Sequence, residues 1–225
     1  MIEAFPDGSV AADAAADAIV AQLAPPGPKR LVVTGGRSPG PVYDRLASSD
    51  LDWSRVTVTL SDERFVDAAS LDSNERLVRE RLLQGAAASA RFMGLKGAGP
   101  TLEADAAAAE PAIRALAPFD AVLLGMGDDG HIASLFPNTP DIAAALDPSG
   151  ERRVIGVAEA GLAPYVPRIS LTAAALFDAR LVVVLVSGAA KRALIERVAV
   201  EPSFAPPVAA LLRQTRTPVR VIWSP

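Results

Sequence analysis

The 225-residue chain carries a formal net charge of −4, half of its residues are hydrophobic, and it has one histidine and no cysteine. That excludes disulfides, thiolate nucleophiles and cysteine-ligated zinc, leaves a protein-held transition metal short of imidazole ligands, and argues against a general attraction to nucleic acid or anionic membrane. No apolar run approaches membrane-spanning length, and the first residues, with Glu3 and Asp7, lack the basic-then-apolar pattern of a signal peptide, so a soluble cytoplasmic protein is expected.

After a short apolar start, residues 9–23 are Ala-rich with Ile19, Val20 and Leu23 as a stripe and predict a helix that Pro25, Pro26 and Pro28 end. Residues 31–34 read as a buried strand, followed by Gly35-Gly36 and a helix through Tyr43 to Ala47. A second strand over 56–60 runs into the polar cluster Ser61-Asp62-Glu63-Arg64. Asp72 with Glu75 forms a capping-box pattern that opens a helix reaching Leu83. Residues 101–117 predict another helix, with Pro111 breaking or starting a segment. Residues 121–124 form a third strand leading into the glycine-rich loop 125–131, and 154–157 and 168–171 are further strand candidates. The β-branched run 181–186 is the clearest buried strand; a helix follows over 189–198, and 219–223 closes the chain as a strand.

Strands alternating with helices predict an α/β fold: one domain over residues 1–225, a doubly wound, Rossmann-like, mostly parallel sheet with helices on both faces. Such sheets bind ligands beyond the carboxyl ends of their strands. The loops 34–40, 61–64, 125–131 and 187–191 all follow strands and therefore share one rim.

Two motifs mislead. Gly36-Arg37-Ser38-Pro39-Gly40 matches the G-x-S-x-G elbow of serine hydrolases, but that site takes an oxyanion donor from the residue after the serine, and Pro39 has no N–H. Residues 125–130 match G-x-G-x-x-G, yet Asp128 and Asp129 would repel a pyrophosphate and Pro137 follows too soon for a long phosphate-binding helix.

What survives is an anion site with a base beside it. Gly35 and Gly36 let successive N–H groups turn toward a ligand, Ser38 adds a hydroxyl, and Arg64, Arg168 and Lys191 supply three cations on the same rim of an acidic protein. His131 is the natural general base, since histidine changes charge near neutral pH, and Asp129 is placed to orient its ring. Asp62 and Glu63 are either ligand contacts or holders of Arg64 and Arg168.

At these residues the sequence resembles the 6-phosphogluconolactonase family. Residues 34–39 (TGGRSP) resemble its S-G-G-S/R-T-P loop, and Asp62-Glu63-Arg64 followed by Ser73-Asn74 resembles its D-E-R-x-V…S-N segment. Residues 125–137 (GMGDDGHIASLFP) resemble its G-x-G-x-D-G-H-x-A-S-L-F-P signature nearly throughout, 168–172 its R-I-T-L-T, and Gly188 with Lys191 its late G-x-x-K. The resemblance implies hydrolysis of a sugar-phosphate lactone without metal or organic cofactor. His131 and Asp129 would be catalytic, with Gly35, Gly36, Ser38, Asp62, Arg64, Arg168 and Lys191 binding substrate and a backbone N–H among residues 127–130 as oxyanion donor. No nucleic acid, membrane or obligate protein partner is implied. The related glucosamine-6-phosphate deaminase family carries a glutamate five residues after the histidine; Phe136 stands there in this chain and cannot relay a proton. A non-catalytic sugar-phosphate sensor is the reading from another class: the cations suit it, the base does not.

Overall fold

The short apolar runs separated by helices fold as alternating strands and helices. The computed structural model describes residues 2–161 and 163–225. In chain order the elements are β1 (Ile2–Ala4), α1 (Gly8–Leu23), β2 (Lys29–Val33), α2 (Gly40–Ala47), β3 (Val56–Leu60), β4 (Asp62–Arg64), α3 (Asn74–Arg81), β5 (Arg91–Met93) and α4 (Leu102–Leu116). They continue with β6 (Ala121–Leu124), α5 (Ile142–Ala145), β7 (Val154–Val157), β8 (Arg168–Leu171), α6 (Ala173–Leu176), β9 (Val182–Ser187), α7 (Ala189–Val200), α8 (Pro207–Arg213) and β10 (Val219–Ser224).

Seven strands make one parallel sheet in the order β1-β10-β9-β6-β2-β3-β5. β6 and β9 lie at its centre, and their near-continuous aliphatic runs are buried, as a sheet covered on both faces requires. From β2 the chain steps through β3 to β5 in one direction; from β6 it steps through β9 to β10 in the other. Parallel crossovers share one hand, so this reversal puts α2 and α3 on one face and α7 and α8 on the other. The switch point falls between β2 and β6, which are hydrogen-bonded neighbours.

The strand candidates at 154–157 and 168–171 form, but not in the parallel sheet. They are β7 and β8 of a separate antiparallel sheet, β4-β8-β7. The connection between them, residues 158–167, is shorter than a parallel crossover needs, so they pair antiparallel. The polar cluster at 62–64, expected as a loop, supplies the third strand. Ser61 joins the sheets: its N–H donates to Val33 O at 2.7 Å, and its carbonyl accepts the Leu171 N–H at 2.8 Å.

Two local readings need correction. The residue that caps α3 is Ser73, whose hydroxyl accepts the Arg76 N–H at 3.2 Å; Asp72 lies one residue too early. α4 runs unbroken through Pro111, because Thr101 caps it and the flanking alanines sustain the helix on either side. Among the described residues no helix is long and apolar enough to cross a membrane.

Candidate active site

The loop after β6 is shaped to hold one imidazole. The Gly127 N–H donates to His131 O at 3.0 Å and the Gly130 N–H to Gly127 O at 3.1 Å, while Gly130 takes φ +81°, a left-handed conformation that glycine adopts freely. This tight turn brings the Asp129 carboxyl against its neighbour: Oδ1 accepts the His131 backbone N–H at 3.1 Å and lies 2.6 Å from His131 Nδ1. A carboxylate only accepts, so Nδ1 carries the proton and Nε2 is left as the basic nitrogen. Gly127 leaves room for this arrangement. A Cβ there would lie 2.1 Å from the His131 ring and 2.7 Å from Asp129 Oδ1. The Phe136 ring packs on the imidazole from another side, centroids 4.7 Å apart.

The loop after β2 faces it across the switch point. The buried Tyr43 hydroxyl accepts the Thr34 N–H at 3.1 Å and donates to the Thr34 carbonyl, fixing the start of the loop; burial pushes its phenol pKa up. Gly35 is required by close approach, since a Cβ there would fall 1.9 Å from Asn74 Oδ1, and Gly36 takes φ +93°. Ser38 is exposed and does not cap α2, which begins after Pro39 without a side-chain cap.

Arg64 and Arg168 stand directly opposite one another on β4 and β8. Like charges in that relation are destabilising. Arg168 is only 4% exposed, yet its guanidinium donates to carbonyls alone, Val166 O at 3.2 Å and Pro164 O at 3.0 Å. Arg64 donates to Asp72 O at 2.6 Å, and its buried Nε has no partner. Among the described residues neither arginine forms an ion pair with a carboxylate. Burial, and then Arg64 beside it, hold the Arg168 pKa below the usual arginine value, partly offset by Asp62, Asp72 and Glu63. A desolvated Arg168 with a half-buried Arg64 beside it is an arrangement suited to an anion. Lys191, in the first turn of α7, has Asp128 at 3.6 Å.

One cleft of about 220 Å³ is lined by Gly35, Gly36, Ser38, Asp62, Arg64, His131, Arg168 and Lys191 together. Asp129 stands behind the histidine rather than in the lining. Glu63 turns away: its carboxylate accepts N–H groups of Arg64, Asn74 and Glu75 and the Ser73 hydroxyl at 2.6–3.0 Å, serving α3 instead of the cleft. For the expected oxyanion donor, the Gly127 and Gly130 amides are already engaged, which leaves those of Asp128 and Asp129. Asn74 and Ser134 fall within the motifs that carry the resemblance, but the sequence assigned neither a role as a structural partner of the site.

Known proteins resemble this chain over nearly its whole length. The family model described as glucosamine-6-phosphate isomerases/6-phosphogluconolactonase matches residues 8–223. A 6-phosphogluconolactonase of Caulobacter vibrioides is 46% identical over 99% of this chain and 97% of its own length. One from Pseudomonas aeruginosa is 44% identical over 90% of this chain and 84% of its own. The crystal structure of a 6-phosphogluconolactonase from Shewanella baltica superposes with a TM-score of 0.92 at 36% identity, covering 100% of this chain and 97% of that one.

Proposed function

The chain belongs to the glucosamine-6-phosphate isomerase/6-phosphogluconolactonase family, and on that premise we propose how its cleft works. The protein is a lactone hydrolase that opens 6-phosphogluconolactone to 6-phosphogluconate, a step of the oxidative pentose phosphate pathway. Arg64, Arg168, Lys191 and the Gly35–Gly36–Ser38 loop hold the phosphate, and that binding energy positions C1 of the lactone beside His131. His131 Nε2 takes a proton from water as its oxygen bonds to C1, and Asp129 stabilises the imidazolium through the 2.6 Å contact to Nδ1. As the C1–ring oxygen bond breaks, the imidazolium returns the proton to the departing oxygen, giving the hydroxyl and the free acid. The mechanism draws on no metal or organic cofactor. Lactones open in water unaided, and general-base catalysis, typically about 10²- to 10⁴-fold, supplies much of the remainder.

The observation that carries this reading is the pairing, in one cleft, of an aspartate-held imidazole with two arginines that, among the described residues, have no carboxylate partner. The side chain packed against the base is Phe136, which cannot shuttle a proton, so the reading favours hydrolysis over isomerisation. A single domain over residues 1–225 and a cytoplasmic setting belong to the same proposal: the family match spans 8–223, and a charged sugar phosphate does not cross membranes unaided. The test is lactone opening above the spontaneous rate, on 6-phosphogluconolactone and on unphosphorylated gluconolactone. Fast turnover of the first with at least about 100-fold lower kcat/KM on the second is expected, because charge-assisted contacts to the phosphate are strong. Equal rates on both would refute the phosphate site, and a rate equal to the blank on both would refute the lactonase.

A further inference from the structure

Asp62 lines the cleft, but its carboxylate is already occupied. Ser134 Oγ donates to Oδ2 at 2.6 Å and Ser61 Oγ to Oδ1 at 2.9 Å. The Ser134 backbone N–H then donates to Ser170 Oγ at 3.1 Å, and Ser170 Oγ to Leu171 O at 3.0 Å. Asp62 is only 6% exposed, and Ser134 and Ser170 are 0% exposed. Hydrogen bonds enclosed this fully are the ones that fix geometry most strictly.

The placement of these groups gives the network its meaning. Asp62 and Ser170 are cross-strand partners on β4 and β8, and Arg64 and Arg168 are the partners two residues along. Residues two apart share a face of a strand, so one rung of that face carries the anchors for Ser134 and the next carries the cations. Ser134 itself lies three residues after His131. Between them Ala133 takes φ +49°, a left-handed conformation that costs a non-glycine residue and persists only where neighbours enforce it. The bonds from Ser134 to both strands, together with the turn bond from the Leu135 N–H to Ile132 O at 3.0 Å, are placed to enforce it.

Resting on His131 as base and the arginines as phosphate site, we infer that Asp62 is a positioning residue: with Ser134 and Ser170 it sets the span between the base and the phosphate-binding cations. A lactone held by its phosphate reaches the base only if that span is correct, and a misplacement of about 1 Å can cost about 100-fold in rate. Asp62 acts through Ser134, not through the substrate.

The test uses the full chain and the variants Ser134→Ala, Asp62→Asn and the double variant, with kcat and KM on 6-phosphogluconolactone and calorimetric titration of inorganic phosphate. Each single variant should lower kcat by about tenfold or more, while phosphate Kd stays within about twofold of wild type. The double variant should be no slower than the slower single one, as expected of residues acting as one unit. If Asp62→Asn weakens phosphate binding or raises KM while Ser134→Ala behaves as wild type, Asp62 touches the ligand and the inference fails. Multiplicative losses in the double variant would overturn it as well. Ser170→Ala carries the same expectation should Ser134→Ala fail to fold. Active wild type with unaffected variants refutes this inference alone, whereas wild type no faster than the blank refutes the lactonase reading beneath it.

Discussion

In the proposed mechanism His131 is the general base, and one missing methyl group sets its orientation. The His131 ring rests where a Gly127 side chain would begin, 2.1 Å from a Cβ built there. Gly127→Ala should therefore push the imidazole off Asp129 and lower kcat by about 100-fold, with a folded protein by circular dichroism. Wild-type kcat in that variant would mean the ring has another seat. The distinct duties of the loop glycines also explain the false dinucleotide signature: Gly127 clears the ring, Gly130 supplies a left-handed turn, and a Cβ at Gly125 would meet nothing within 4 Å. His131 and Asp129 were legible in sequence because their partnership spans two residues. The pairing of Arg64 with Arg168 was not, because it depends on a strand register that nothing local encodes.

Among the elements, α3 shows how a helix can be capped from afar. The first donors of a helix lack internal partners, and here buried Glu63 of β4 accepts the N–H groups of Asn74 and Glu75, both at 2.7 Å. Burial pushes the Glu63 carboxyl above its ordinary value, and the four donated hydrogen bonds pull it back only in part. A carboxyl raised in the folded state holds its proton there more tightly than in the unfolded chain, so its contribution is greatest below the unfolded pKa of about 4.3 and is lost as pH rises through the folded one. The stability of wild type relative to Glu63→Gln should thus fall as pH rises from about 4, read from urea melts at successive pH values. A pH-independent difference would contradict the raised pKa. The capping-box reading of Asp72 with Glu75 failed because Ser73 is the cap, one residue later, and the Glu63 contribution from another strand left no local trace in the sequence. The longer strands were readable from their aliphatic runs, whereas β4 and β5, of three residues each, are too short for a periodicity to appear.

For the whole molecule, the reversal of crossover direction between β2 and β6 is what makes a site. It opens a crevice between the loop that bears His131 and the loop that bears Gly35 and Gly36, and the antiparallel sheet that continues from β3 adds the arginines. The alternation of strands and helices made the parallel sheet predictable; the second sheet was hidden because its strands are scattered over the chain and polar at the site. In the proposed reading, an acidic protein of net charge −4 binds a phosphate through a local cluster of cations rather than its overall field. The central claim is that His131 takes the proton from the attacking water. Its most direct test is the rate of 6-phosphogluconolactone opening by His131→Ala, with spontaneous hydrolysis subtracted and phosphate affinity measured alongside. A loss of about 10²- to 10⁴-fold in kcat with phosphate affinity retained is predicted; a variant within a few-fold of wild type would show that another group is the base.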